Sequence, residues 1–280
     1  MVVEQERLRE GEGKSMFYVY FVGTAGSGKS TLVDLFSRWL REHEQDVVTV
    51  NLDPGAKWLP YGPDVDVRDY INFERVMVEL SLGPNGAFIA CADMIATFAD
   101  KLREEAERDN PDYILVDTPG QMELFAFREA GRAIISKLCS ERTAVVYLVD
   151  ASFLKKPSSL ASSLLLSASV HFSLLRPQIC ILSKSDLLTK RDRELVVRWF
   201  DNIEYICEAM SREENVMLGD FSRSVMQVLT ELESLTKIIP VSSITGEGVD
   251  ELFAELQRIF AGGGEEFVDV GPFRADEAWY

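Results

Sequence analysis

Short apolar runs of strand length recur along the chain and alternate with longer stretches in which apolar residues return at helical spacing. The predicted strands are 16–22, 46–50, 112–117, 143–149, 178–182 and 237–241. Helical spacing is clearest in 31–43, 91–108 and 122–138. Continuous apolar strands that alternate with helices are typical of a parallel sheet covered on both faces. The pattern therefore predicts an α/β fold with three layers, in which a mainly parallel central sheet lies between two layers of helices.

Two segments depart from this alternation. Residues 190–235 are charged and helical in spacing, so we interpret them as a helical insertion before the last strand. Residues 157–175 carry no charge at neutral pH, but their recurring serines argue against a membrane span. We expect a helix packed against the body of the protein there, or alternatively a groove for a partner peptide. We expect 16–262 to form one domain, with an N-terminal extension (1–15) and an acidic C-terminal tail (263–280).

The charge, the cysteines and the histidines exclude several classes of function. The 280 residues carry 46 acids against 29 bases, a formal charge of −17, without a basic block, so we expect no direct binding of nucleic acid. The 4 cysteines are too far apart for a zinc or redox motif, which favours buried thiols in a reducing compartment. The 2 histidines are too few for a histidine-rich metal site. The charged N-terminus lacks an apolar signal region, so we expect a cytoplasmic protein that does not contact membranes.

A glycine-rich segment follows the first predicted strand. Residues 23–31, GTAGSGKST, fit the pattern G-x-x-x-x-G-K-[ST] between a strand and a helix. In such a loop backbone N–H groups close around phosphate oxygens, the lysine reaches the β and γ phosphates, and the next hydroxyl ligates Mg²⁺. The sequence therefore predicts a P-loop NTPase in which Lys29 also supports catalysis and Ser30 ligates the metal. The predicted phosphate-binding residues are Gly26, Ser27, Gly28, Lys29, Ser30 and Thr31.

A second segment supplies what hydrolysis would need. In DYILVDTPGQ, residues 112–121, an apolar strand ends at Asp117, which we expect to hold Mg²⁺ through water. The following loop contains Gly120, whose N–H can meet a γ-phosphate and so distinguish a triphosphate from a diphosphate. The sequence therefore predicts a site that senses and hydrolyses a nucleoside triphosphate.

A third segment indicates which base is bound. Residues 183–186, SKSD, approximate the Asn-Lys-x-Asp motif of guanine-specific GTPases, with Ser183 in place of the usual asparagine. The carboxylate of Asp186 would accept hydrogen bonds from guanine N1 and N2, which adenine cannot donate, and the stem of Lys184 would lie along the base. The loop that begins at Ser242 resembles the segment whose backbone meets guanine O6. We therefore expect GTP rather than ATP as the substrate.

Together with the P-loop, an ordered set of motifs resembles the GPN-loop GTPases over about residues 16–260. The motifs are 51–54 (NLDP), 66–71 (DVRDYI), 83–85 (GPN) and 117–123 (DTPGQME). By itself, 83–86 has the chemistry of a tight turn. The resemblance implies a dimer, either of two copies or of paralogues, with Asn85 acting in trans near the γ-phosphate of the other subunit. It also implies a client-binding assembly factor, with RNA polymerase as the client of eukaryotic relatives.

The resemblance implies further roles around the reacting water. Asp53 and Gln121 are the expected water-orienting residues, with Glu123 beside them, and Asp53 joins Ser30 and Asp117 near the metal. No arginine finger is evident, because Arg68, Arg128 and Arg132 could equally pair with surface acids; we expect the surface role. Two alternatives to a hydrolysing switch remain open, a nucleotide-gated scaffold with negligible hydrolysis and a metallochaperone-type GTPase.

Overall fold

The computed structural model of the chain describes residues 16–154, 156–201, 203–211 and 238–262. The predicted N-terminal extension, the acidic tail and the part of the predicted insertion at 212–235 lie outside the described residues. Within these ranges the chain forms one sheet and the helices that cover it.

A seven-stranded sheet forms the centre of the fold, with strand order β3-β2-β4-β1-β5-β6-β7. Every pair of neighbouring strands is parallel. The strands are β1 (Phe17–Gly23), β2 (Val47–Asn51), β3 (Val65–Asp66), β4 (Tyr113–Asp117), β5 (Thr143–Asp150), β6 (Gln178–Ser183) and β7 (Ile238–Val241). The parallel sheet predicted from the apolar runs is confirmed.

Helices cover both faces of this sheet. They are α1 (Lys29–Glu42), α2 (Phe73–Glu79), α3 (Pro84–Ala106), α4 (Met122–Ala126), α5 (Glu129–Lys137), α6 (Pro157–Leu174), α7 (Lys190–Asp201), α8 (Ile203–Ser211) and α9 (Val249–Phe260). Alternate residues of β1 point to opposite faces: Phe21 packs in the cluster with α1 and α9, and Tyr20 in the cluster with α3 to α8. The predicted three-layer arrangement is therefore confirmed.

The uncharged segment is a helix that packs against the body of the protein, as predicted. Helix α6 buries one side, including Leu160, Leu164 and Val170, in the larger core cluster. Its other side leaves Leu165 and Phe172 exposed to solvent.

Two local expectations were wrong, and one short strand was missed. The segment 122–138 is not one helix, because Arg128 is extended (φ −105°, ψ 153°) and separates α4 from α5. The segment 83–86, which has the chemistry of a tight turn, begins a helix instead: Gly83 is the N-cap and Pro84 is the first residue of α3, a position where its missing N–H costs nothing. Strand β3 was not predicted, since two residues are too short to produce a pattern.

The cysteines and the helices bear on two further expectations. Cys91, Cys180 and Cys207 are buried as expected, whereas Cys139 is only half-buried. Among the described residues no single helix is long and apolar enough to span a membrane; α2 and α3 reach that length and composition only as a pair, and they are bent by 111°.

Candidate active site

The parallel order of the strands brings the predicted functional segments to one edge. Residues at or next to the carboxyl ends are paired across neighbouring strands: Phe21 with Asp117, Asn51 with Asp117, and Asp150 with Ser183. Ligands of open parallel sheets bind at this edge. The candidate active site is therefore the cleft at the carboxyl ends of β1, β2, β4, β5 and β6.

The glycine-rich loop joins β1 directly to α1. Gly26 (φ 77°) and Gly28 (φ 95°) both have positive φ angles, which side chains with a Cβ rarely adopt. Gly28 is the N-cap of α1, and half-buried Ser30 and Thr31 lie in the first turn. The loop therefore directs a helix N-terminus towards the cleft, an arrangement that favours anions.

The ammonium group of Lys29 lies inside this loop. The side chain is almost fully buried, and Nζ donates to the carbonyl oxygens of Gly23 at 2.9 Å and Thr24 at 3.0 Å. Burial lowers the pKa of Lys29, while the nearby carboxylates of Asp117 and Asp53 act in the opposite direction. A buried cation is thus held at the place where the phosphate chain of a nucleotide would enter.

Asp117 ends β4 next to the loop and is 1% exposed. Its Oδ2 accepts a hydrogen bond from the hydroxyl of Tyr61 at 3.1 Å, whereas its Oδ1 is buried and has no hydrogen-bond partner among the described residues. Burial raises the pKa of Asp117 to about 6, although the Ser30 hydroxyl, Lys29 and Tyr61 each lower it. A buried carboxylate oxygen without a partner normally requires an ion or water.

Asp53 follows β2 and faces the loop after β4. Its Oδ1 accepts the N–H of Gly55 at 2.9 Å, and its Oδ2 accepts the N–H of Gly120 at 3.4 Å. The side chain of Asn51 accepts the backbone N–H of Asp53 at 3.0 Å and donates to Asp66 at 2.9 Å. The acid expected near the reacting water and the N–H expected to sense the γ-phosphate are therefore in direct contact.

The next residue of that loop contacts the Gly-Pro-Asn segment. Gln121 Nε2 donates to Asn85 Oδ1 of the same chain at 3.5 Å, and both side chains are accessible to solvent. Glu123 is exposed, and it lines a cavity of about 470 Å³ together with Gln121, Gly120 and the tip of the glycine-rich loop. The described chain thus brings Asn85 next to its own Gln121, and the predicted contact in trans stays a prediction.

The predicted base-binding segment lies against the glycine-rich loop. Ser183, in the position of the usual asparagine, donates to the carbonyl oxygens of Ser27 at 2.8 Å and Val149 at 3.2 Å. The hydroxyl of Ser242 donates to Asp186 Oδ1 at 2.7 Å. Ser242 therefore orients the Asp186 carboxylate through its side chain, a contact that the sequence did not indicate.

For Arg68, Arg128 and Arg132 the sequence predicts pairing with surface acids rather than a role as an arginine finger. Arg68 is engaged elsewhere: its Nε lies 3.0 Å from both carboxylate oxygens of Asp66, and its Nη1 donates to Ala56 O at 2.9 Å. This contact agrees with the expected pairing of arginine with an acid. Arg128 is the residue before α5, and Arg132 lies within that helix.

Comparison with known proteins places this site in a family. A family model described as "Conserved hypothetical ATP binding protein" matches residues 21–262. A GPN-loop GTPase of Pyrococcus abyssi is 36% identical over 237 residues, which are 84% of this chain and 93% of that protein. The chain belongs to the GPN-loop GTPase family. GPN-loop GTPase 1 of Dictyostelium discoideum is 32% identical over 246 residues, and there the chain spans 61% of the relative's length.

A solved GPN-loop relative has the same fold. The crystal structure of a GTPase from Pyrococcus abyssi in its apo form superimposes with a TM-score of 0.76 at 35% identity, covering 86% of this chain and 96% of that chain. The resemblance to GPN-loop GTPases that the sequence motifs indicated is confirmed. The family description names ATP, whereas the relatives' names specify GTP. Which of the two bases this chain binds therefore depends on its base-binding segment.

Two residues of this GPN-loop GTPase site were not predicted. Asp150 ends β5 and pairs with Lys184, and Tyr61 donates to Asp117. The signal for Asp150 was present, because it follows a buried apolar run in the same way as Asp117. No comparable signal exists for Tyr61, which approaches Asp117 only through the path of the loop between β2 and β3.

Proposed function

We propose that the chain binds GTP with Mg²⁺ and hydrolyses it to GDP and phosphate. One observation carries the proposal: the buried ammonium of Lys29, the unpartnered oxygen of Asp117 and the contact between Asp53 and Gly120 lie at one edge of the sheet. A cation, a candidate metal ligand and a candidate water-orienting acid are the parts that phosphoryl transfer requires. The names of the relatives support the same activity.

Phosphate binding falls to the glycine-rich loop. The N–H groups of Gly26 to Thr31 and the dipole of α1 would surround the β-phosphate, and Lys29 would exchange the carbonyl oxygens of Gly23 and Thr24 for phosphate oxygens. A phosphate oxygen is a charged acceptor and therefore a stronger partner than either carbonyl. Because Lys29 is already buried, little further loss of hydration would accompany this exchange.

Selection of guanine falls to Asp186. A carboxylate accepts two hydrogen bonds, which matches the N1 and N2 donors of guanine and not the edge of adenine. Ser242 fixes one carboxylate oxygen at 2.7 Å, so the group is oriented before the base arrives. This argument favours GTP over the ATP of the family description.

The residues beside Asp117 fit a magnesium ion. Mg²⁺ prefers oxygen ligands and is usually bound through one or two protein groups together with phosphates. The hydroxyl of Ser30 and the unpartnered Oδ1 of Asp117 supply such oxygens, with Asp53 as a further candidate. No group of three or more His, Cys, Asp or Glu suited to a metal occurs within the described residues. The bound ion would neutralise charge that develops on the phosphate oxygens.

Asp53 and Gln121 would orient the attacking water, with Glu123 nearby. Asp53 is a hydrogen-bond acceptor and Gln121 offers both a donor and an acceptor, so the pair could align a water towards the γ-phosphate. The Gly120 N–H would have to leave Asp53 to meet that phosphate. Binding of GTP would therefore free one oxygen of Asp53 for the water.

Membership of the family supports a further proposal about the wider role. We propose a cytoplasmic dimer of two copies or of paralogues, in which Asn85 crosses to the other subunit, and a switch or assembly role for a client complex such as RNA polymerase. Members are named for the Gly-Pro-Asn loop, and α3 presents Asn85 in its exposed first turn. A scaffold that binds GTP without hydrolysing it is the alternative.

The experiment is release of phosphate from GTP and from ATP at increasing protein concentration, with Mg²⁺ or with EDTA. We expect release from GTP only, dependent on Mg²⁺ and lowered at least about 100-fold by Lys29→Ala. Exposed Lys190 of α7 gives the matched control, Lys190→Ala, which should turn over at the parent rate. No release from GTP at any concentration would overturn hydrolysis, and retained Mg²⁺-dependent GTP binding would then indicate the scaffold.

A further inference from the structure

Asp150, at the carboxyl end of β5, is a buried acid with both oxygens occupied. Its Oδ2 accepts the ammonium of Lys184 at 2.7 Å, and its Oδ1 accepts the backbone N–H and the hydroxyl of Ser152 at 2.8 Å and 2.7 Å. The side chain is 3% exposed, less than any other acid in an ion pair of the described chain. Burial by itself would raise the pKa of Asp150, but Lys184 and Ser152 outweigh it and lower the pKa. Asp150 is therefore a fixed negative charge beneath the nucleotide cleft.

Lys184 connects that charge to the glycine-rich loop. Its Nζ also donates to the carbonyl oxygen of Gly26 at 2.6 Å, and its Cε would lie 3.8 Å from a Cβ placed on Gly28. The lysine stem thus runs across the end of the loop where the helix begins. Its backbone has a φ of 57°, a conformation that a residue with a Cβ adopts only at some cost.

Ser183, the neighbour of Lys184, cannot replace the contact between Lys184 and Asp150. Its buried hydroxyl joins β6 to the glycine-rich loop and to β5 through neutral hydrogen bonds to backbone carbonyls. These bonds fix the backbone of the base-binding loop, but they do not hold the long side chain of Lys184, which is 35% exposed. Without Asp150, the ammonium would keep only its hydrogen bond to the Gly26 carbonyl among the described residues and could exchange that bond for water. The position of the lysine stem therefore depends on Asp150.

We propose that Asp150 is a positioning residue for nucleotide recognition, which holds the Lys184 ammonium on the Gly26 carbonyl and so fixes the lysine stem on which the base lies. The inference rests on the proposed binding of GTP in this cleft, but not on hydrolysis. Holding a flexible side chain in its bound position before the ligand arrives lowers the entropy cost of binding. Asp150 thereby links the end of β5 to the base site, through a lysine that is held on the Gly26 carbonyl.

The test is binding of GDP to the full chain by calorimetry, with Mg²⁺ present, for the parent, Asp150→Asn, Lys184→Met and the double variant. We expect Asp150→Asn to weaken GDP binding about 10- to 100-fold, the range for losing one hydrogen bond to a charged group. The double variant should bind no more weakly than Lys184→Met, because the acid acts through the lysine. Tripolyphosphate, which has phosphates without a base, should bind Asp150→Asn and the parent equally.

Two controls separate positioning from a structural role. Ser152→Ala removes a contact to the other oxygen of Asp150 and should change GDP affinity less than about threefold. Asp150→Glu keeps the charge and should restore part of the affinity, which also provides a variant if Asp150→Asn does not fold. Parent affinity in Asp150→Asn, additive losses in the double variant, or an equal loss of tripolyphosphate would each overturn the proposal. Failure of the parent itself to bind GDP or GTP would instead overturn the proposed function.

Discussion

Gln121 and Asn85 of the same chain meet at 3.5 Å, the amide nitrogen of the first donating to the amide oxygen of the second. Gln121 follows the loop that faces Asp53, and Asn85 lies in the first turn of α3. The contact shows that one chain can bring Asn85 to its own candidate active site. The family resemblance implies the site of the other subunit instead, so the two arrangements make opposite predictions.

Mixing two inactive chains distinguishes them. Asn85→Ala and Lys29→Ala should each be inactive alone. If Asn85 acts in trans, an equal mixture should recover about a quarter of the parent's GTP turnover, because about half of randomly paired dimers are mixed and one of the two sites in each mixed dimer is intact. If Asn85 acts within its own chain, no site in the mixture is intact. The measurement is phosphate release after exchange of subunits, with formation of mixed dimers verified separately. Absence of recovery in verified mixed dimers would contradict the trans role.

Changing Asp186 should change which base is bound. In Asp186→Asn an amide N–H would face a guanine donor, so we expect GTP affinity to fall at least about 100-fold. Xanthine carries an oxygen where guanine carries N2, and the amide can donate to it, so XTP should bind the variant more tightly than GTP. Competition of both nucleotides against a fluorescent triphosphate measures this exchange.

The matched control for that change is Ser242→Ala. It removes the hydroxyl that donates to Asp186 Oδ1 but leaves the carboxylate in place. We expect weaker GTP binding, by about tenfold or less, without a preference for XTP. An Asp186→Asn variant that kept parent preference for GTP would show that another group reads the base.

The sheet could be predicted from the sequence because it depends on local composition. Each predicted apolar run became a strand of the sheet, since strands buried on both faces contain little except apolar residues. The break between α4 and α5 could not be predicted, because the helical spacing continues through Arg128, whose backbone is extended. Gly131 lies so close to the backbone of Phe125 that a Cβ would clash with it, and helical spacing alone does not report such an approach.

The candidate site, too, could be predicted only where it depends on local sequence. Lys29, Asp117 and Asp186 are found by their positions after predicted strands, since parallel order brings all carboxyl ends to one edge. Tyr61 and the Ser242 hydroxyl were missed as partners of these acids, because each approaches from a segment more than 50 residues away in sequence. A pattern of local spacing contains no information about that approach.

Gly131→Ala should destabilise the fold although alanine is the better helix former. The gain in helix propensity is about 1 kcal/mol. A Cβ on Gly131 would lie 1.7 Å from the carbonyl oxygen of Phe125, so the backbone of α4 would have to move. Forced overpacking costs about 1–3 kcal/mol, and a clash with backbone rather than with a flexible side chain belongs at the upper end of that range, above the gain. We expect a net loss in the free energy of unfolding, measured by urea denaturation.

Gly62→Ala provides the matched glycine control. A Cβ at Gly62 meets nothing within 4 Å, so its free energy of unfolding should change by less than about 0.5 kcal/mol. If Gly131→Ala were as stable as Gly62→Ala, α4 and α5 would not be packed as described.

Asp117→Asn should stabilise the nucleotide-free protein at neutral pH while removing the proposed Mg²⁺-dependent activity. Burial raises the pKa of Asp117 to about 6, so the folded chain keeps this proton at a pH where the unfolded chain has lost it. The contribution of Asp117 to the free energy of unfolding therefore falls between about pH 4 and pH 6 and stays low above that range. Asparagine does not ionise, so the variant should gain up to about 3 kcal/mol at pH 8 relative to the parent and much less at pH 4. Urea denaturation in EDTA at both pH values measures the difference. If the variant were less stable than the parent at pH 8, the neighbours of Asp117 would stabilise its ionised form by more than burial destabilises it.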